Sequence, residues 1–219
     1  MAEVKDMPAT DTQDTPLVPQ TYLITPPEFE LSTFPDVFAR VLDSNEIACV
    51  RLSMATQDED RICRAADALR AICHERDIAI VMDKHIPLVE RLGLDGVHLG
   101  NTGNSVRNTR KELGPDAIIG AYCGHSQHDG MTAGEAGADY IAFGPVGLTP
   151  LGDGSRAELD LFQWWSEMIE VPVVAEGALD ADLIAALAPF TDFFGVGPEI
   201  WSHDAPAESL NALLAPLRG

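Results

Sequence analysis

The chain has 219 residues, 46% of them hydrophobic, with 14 Lys+Arg against 35 Asp+Glu and a formal net charge of −21. That length carries a sizeable core in one domain, since a single α/β barrel commonly takes about 200–250 residues. The acidity excludes nucleic acid as a partner, because binding phosphate backbones needs a basic footprint, and it disfavours an anionic membrane; it reads as a solvated, self-repelling surface.

In chain order, residues 1–20 are polar, acidic and rich in Pro, Thr and Asp. They read as a disordered tail and not as a signal peptide. From residue 21 to residue 219 short apolar runs alternate with amphipathic stretches. The expected strands are Thr21–Thr25, Ile47–Leu52, Ile78–Met82, Gly96–Leu99, Ala117–Ala121, Tyr140–Phe143, Val171–Ala175 and Asp192–Val196. Most are short and β-branched or aromatic, as buried parallel strands are. Helical spacing is read over Phe34–Leu42, over Asp58–Arg76 (Ile62, Ala66, Leu69, Ile72, Cys73), over Asp180–Ala188 behind an Asp N-cap, and near Ala205–Leu217. Eight strands alternating with about eight helices predict a single (β/α)8 TIM barrel. The alternative is a doubly wound open sheet, but no G-x-G-x-x-G follows the first strand.

Cys49, Cys63, Cys73 and Cys123 form no C-x-x-C pair, so each reads as a small core hydrophobe and the compartment as reducing and cytoplasmic. No apolar run reaches spanning length, and the sequence leaves open whether the chain forms a homo-oligomer.

A barrel of this kind carries its site at the C-terminal strand ends. Three strings end there in glycine: Asp95-Gly-Val-His-Leu-Gly100, Gly137 to Pro145 with Gly144, and Val171 to Gly177. Glycine lets a ligand approach the backbone. Gly177 and Gly197 fit the phosphate site that barrels often build after strands seven and eight. Of only three lysines, Lys84 stands at a strand end beside Asp83. His125, after strand five, has the chemistry of an acid or base near neutral pH. His98, inside a strand, reads as a hydrogen-bonded core histidine. Glu176 has two readings: pointing into the site as a base or metal ligand, or pointing outward and pairing with a neighbouring arginine. Trp164, Trp165 and Trp201 read as packing helices against the barrel.

The strings Val81-Met-Asp-Lys84, Asp95 to Gly100, Ile119-Gly120, Gly137-Ala-Asp-Tyr140, Phe143-Gly-Pro-Val146 and Pro172-Val-Val-Ala175 resemble the thiamine phosphate synthase and thiazole tautomerase family, in its order and spacing. The resemblance implies a (β/α)8 barrel binding a small phosphorylated substrate. Its synthases join a pyrimidine methyl pyrophosphate to a thiazole phosphate with magnesium, the pyrophosphate leaving first. It also implies Asp83 as a magnesium ligand and Lys84 as the cation in place of the family's arginine. His125 falls at the family's strand-five histidine, with one residue inserted. The family's Gln-x-Arg-x-Lys string is Arg51-Leu-Ser-Met-Ala55 here, and the second magnesium aspartate is absent from Gly100-Asn-Thr-Gly103. The loop after strand six has no lysine; Arg51, Arg107 and Arg156 are the candidate substitutes for the missing cations, with Gly144, Gly177 and Gly197 toward phosphate. The leading function is thiamine phosphate synthesis. The alternatives are a thiazole-phosphate tautomerase, using His125 or Glu176, and a non-catalytic phosphate-ligand binder.

Overall fold

The computed structural model describes residues 18–100, 103–149 and 154–218. The expected tail therefore lies outside the described residues as far as residue 17, and Gln20 already belongs to the first strand. The elements run β1 Gln20–Ile24, α1 Phe34–Ser44, β2 Ile47–Leu52, α2 Glu59–His74, β3 Ala79–Asp83, α3 Ile86–Leu92, β4 Gly96–Leu99, α4 Gly103–Leu113 and β5 Ile118–Tyr122. They continue with α5 Gln127–Glu135, β6 Tyr140–Phe143, α6 Leu159–Met168, β7 Val173–Glu176, α7 Ala181–Leu187, β8 Phe193–Val196, α8 Pro198–Trp201 and α9 Pro206–Leu213. Every strand pairs in parallel with its neighbour, and β8 pairs back onto β1 (Thr21 opposite Phe194), so the barrel is closed and the open-sheet alternative fails.

Local chemistry sets the element ends. The Asp58 carboxylate accepts from the amides of Asp60 and Arg61 and starts α2, whose Ile62, Ala66, Leu69 and Cys73 are buried. Asp180 caps α7 through Leu183 N at 2.8 Å. Three aspartates just before even-numbered strands each take an amide at the start of the preceding strand. Asp95 accepts from Ile80 N at 2.7 Å, Asp139 from Ile119 N at 2.7 Å and Asp192 from Val173 N at 2.8 Å. These carboxylates pin the N-terminal rim, opposite the end where ligands bind. The Asp192 bond also explains why the expected strand Val171–Ala175 is displaced to β7: Pro172 has no amide to donate, and the ladder starts at Val173. The last helix ends early, at Leu213, and Pro216 lies in a separate 3-10 turn over Ala215–Leu217.

The larger apolar cluster lies between strands and helices, with Phe38, Leu69, Phe162, Trp165 and Phe194 fully buried. Trp165 donates to the Val171 carbonyl at 2.8 Å and Trp201 to the Ile24 carbonyl at 2.6 Å, so these two tryptophans pack and brace the shell. A smaller cluster of Tyr22, Ile24, Val81, Tyr140, Ala142 and Val174 comes from alternate strand positions and fills the barrel itself. Room there is made by absent side chains: a Cβ on Gly120 would lie 2.0 Å from the Tyr140 ring, and one on Gly195 would lie 2.8 Å from the Glu176 Cβ. Among the described residues no helix is long and apolar enough to cross a membrane.

Candidate active site

The period-2 alternation that faces Tyr22 and Tyr140 inward brings Arg51 of β2, Asp83 of β3, His98 of β4 and Glu176 of β7 to the same interior, toward the C-terminal end. The Arg51 guanidinium donates to Glu176 Oε2 at 3.0 Å and Oε1 at 3.2 Å, a bidentate pair. It also donates to His98 Nε2 at 2.7 Å and stands 3.8 Å from Asp83 Oδ1. Arg51 is 7% exposed and Glu176 9%, so the pair forms the floor of the mouth and not its wall. Neither reading of Glu176 holds whole: the side chain points inward and not outward, and its carboxylate is already paired there with Arg51.

Arginine has only donors, so His98 Nε2 must accept, which leaves its Nδ1–H to donate to the Tyr140 hydroxyl at 3.0 Å. Tyr140 in turn meets the Tyr22 hydroxyl at 2.6 Å. Burial, with Arg51 and Lys84 nearby, holds the His98 pKa well below its ordinary value, so the ring stays neutral. Burial, the largest single influence, opposes the charge on Arg51, but Glu176, Tyr22 and Asp83 together outweigh it and the guanidinium pKa is raised. Both buried tyrosines are pushed well above their usual range by desolvation. The thiols of Cys49, Cys73 and Cys123 are pushed up by burial to about 12, which keeps them protonated, as apolar packing groups are.

Above this floor, Asp83 ends β3 with its side chain 23% exposed, and its Oδ2 accepts from the Ser53 hydroxyl at 2.7 Å. Lys84 follows in the left-handed region at φ 65°, which turns its chain outward while its amide still bonds the His98 carbonyl at 3.1 Å. Its stem lies over the end of β4, with Cε 3.6 Å from where a Gly100 Cβ would stand, and its ammonium end is exposed. A floor cation, a carboxylate and a rim cation thus share one end of the barrel.

The remaining candidates are placed differently. His125 is exposed, one residue before the Ser126 cap of α5, and takes no part in the network just described. Arg156 pairs with Glu158 Oε1 at 3.0 Å. Gly144 is needed by the fold: a Cβ there would lie 2.3 Å from the Glu176 carbonyl oxygen, and its own carbonyl accepts from the Tyr122 hydroxyl. Gly177, at φ 89°, and Ala178, at φ 54°, turn the chain after β7, where the Gly177 carbonyl accepts from Val146 and Gly147. The Gly197 amide, after β8, is taken by Glu199. Asn101, Thr102 and residues 150–153 lie outside the described residues. Tyr22 and Tyr140 were not legible as site-floor residues, although alternation along β1 and β6 carried the signal. Glu199 carried none, because its contacts depend on two loops meeting.

This is a parallel (β/α)8 barrel with a polar, charge-paired floor at its C-terminal end, the architecture of small-molecule barrel enzymes. The chain belongs to the thiamine monophosphate synthase family, whose model matches residues 21–191. It is 37% identical over 203 residues to the thiamine-phosphate synthase of Rhodospirillum centenum, covering 90% of this chain and 97% of that one. It is also 37% identical over 203 residues to the one from Erythrobacter litoralis, covering 89% and 93%. The solved structure of a thiamine phosphate pyrophosphorylase from Pyrococcus furiosus shares the fold, with a TM-score of 0.78 at 21% identity, over 91% of this chain and 95% of that one.

Proposed function

We propose that this chain is a thiamine-phosphate synthase: it joins a pyrimidine methyl pyrophosphate to a thiazole phosphate and releases pyrophosphate. The observation that carries the reading is 36–37% identity to proteins of that name over nearly their whole length. The same relatives favour the synthase over the tautomerase or the non-catalytic binder.

The chemistry asks for a departing pyrophosphate to be stabilised. The bond from the pyrimidine methylene to oxygen breaks, its electron pair leaves with the pyrophosphate, and the thiazole nitrogen forms the new bond to that carbon. Lys84 supports this reading as a mobile point charge on the rim, and Arg51 as a fixed cation beneath it. Among the described residues no three His, Cys, Asp or Glu converge on one metal position. Asp83, partly buried with one oxygen held by Ser53, fits the other way of binding magnesium, through one carboxylate plus substrate phosphates and water. Magnesium bound there would neutralise charge on the leaving phosphates. Four free cysteines support a reducing, cytoplasmic setting.

The test supplies purified protein with both substrates and magnesium and follows thiamine phosphate. Turnover that falls at least about a hundredfold in Asp83→Ala, and likewise when magnesium is chelated, supports the reading. Undiminished turnover in Asp83→Ala would remove Asp83 from the metal role. No product at all would remove the synthase.

A further inference from the structure

At the C-terminal end of the barrel, the Glu199 carboxylate rests on two backbone amides from different loops. Oε2 accepts from Gly197 at 2.8 Å, directly after β8, and Oε1 accepts from Leu179 at 3.2 Å, in the turn after β7. In that turn Gly177 and Ala178 both stand in the left-handed region before Leu179. These are the two loops from which barrels commonly offer amides to a phosphate group. A carboxylate spread over two N–H groups is a charge-assisted arrangement, and its two oxygens use the hydrogens that two phosphate oxygens would use. Pro198, between Gly197 and Glu199 in sequence, has no N–H to offer instead.

We propose that Glu199 is an internal competitor for phosphate and so sets how strongly this site takes a phosphomonoester. A phosphorylated substrate gains the Gly197 and Leu179 amides only by displacing the carboxylate. If both anions stay, their like charges sit within a few ångströms and repel. The inference rests on the reading that the substrate's phosphate docks after β7 and β8, and it deepens that reading by naming the residue that tunes affinity there. A purely bracing Glu199 would tie the two loops together and have the opposite consequence when removed.

The test is calorimetric titration of the full chain, Glu199→Ala and Glu199→Gln with inorganic phosphate. Thermal unfolding is recorded for each, and KM and kcat are measured separately for the thiazole phosphate. The expected result is phosphate binding about tenfold or more tighter in Glu199→Ala, since each charge-assisted bond released to the ligand contributes on the order of one decade. Glu199→Gln, which keeps one acceptor oxygen and loses the charge, should gain less, and KM should fall with kcat little changed. Unchanged or weaker phosphate binding in the variants would overturn the proposal and leave a brace. If Glu199→Ala does not fold, Glu199→Gln decides by the same criterion. Phosphate titration involves no turnover, so tighter binding in a chain that makes no thiamine phosphate would sink the synthase and leave this inference standing. An active enzyme with no gain in phosphate binding would do the reverse.

Discussion

Breaking the buried ion pair on the barrel floor should cost far more than removing it whole. In Glu176→Leu the Arg51 guanidinium loses its bonds at 3.0 and 3.2 Å and keeps only His98 at 2.7 Å and Asp83 at 3.8 Å. One partner removed from a buried pair leaves an uncompensated charge, at about 3–5 kcal/mol. Arg51→Met leaves Glu176 buried and also strips the donor from His98 Nε2, so it should cost at least as much. The double variant Arg51→Met/Glu176→Leu has neither charge. Apolar replacement of a buried pair is often neutral, so its remaining cost is the unmet His98 acceptor, about 1–3 kcal/mol. The singles sum to roughly 6–10 kcal/mol and the double falls several kcal/mol below that sum, a coupling well outside the ~0.5 kcal/mol of independent sites. Urea unfolding midpoints, compared at unchanged m-value, measure all four corners of the cycle. Additive singles, or a Glu176→Leu cost under about 1 kcal/mol, would refute the idea that the pair acts as a unit in a low-dielectric floor.

Three further outcomes follow from the same geometry. His98 is neutral in the fold with its pKa held well below the ordinary value, so below about pH 6.5 the unfolded chain binds a proton that the folded one refuses. Stability present above that pH is lost as pH falls, at up to about 1.4 kcal/mol per pH unit from this group. Urea midpoints between pH 7.5 and 5.5 should therefore slope more steeply in the parent than in His98→Gln; equal slopes would contradict the assignment. Asp139→Ala should lower stability by about 1–3 kcal/mol, because the Ile119 amide loses its acceptor, with little effect on KM since that carboxylate lies at the opposite rim. Lys84→Ala should lower kcat with both substrates saturating and leave the unfolding midpoint nearly unchanged, its side chain being exposed; a large loss of stability with unchanged kcat would contradict its rim role.

Most of the barrel was legible in the sequence, because buried parallel strands are short apolar runs and the helices between them carry their own caps, as Asp58 and Asp180 show. Boundaries moved where a tertiary partner decided them, as with Asp192 and the start of β7. At the site, Asp83 and Lys84 were visible because a strand end is a local signal. The union of Arg51, His98, Tyr140 and Glu176 was not, since it needs the register of four strands at once. Gly144 reads in sequence as a ligand approach, but the space it leaves is taken by the β7 backbone. Glu199 was invisible for a similar reason: the two amides it holds are 18 residues apart in the chain, at positions 179 and 197, and meet only when β7 and β8 pair.

Synthase activity is decided by a single-turnover experiment with enzyme in excess over the pyrimidine pyrophosphate, with thiazole phosphate and magnesium present. Pyrophosphate and thiamine phosphate are quantified in the same quenched samples. Both should appear in equal amounts and on the same time course, and both should form at least about a hundredfold more slowly in Asp83→Ala. Neither product forming with enzyme in stoichiometric excess would contradict the synthase reading.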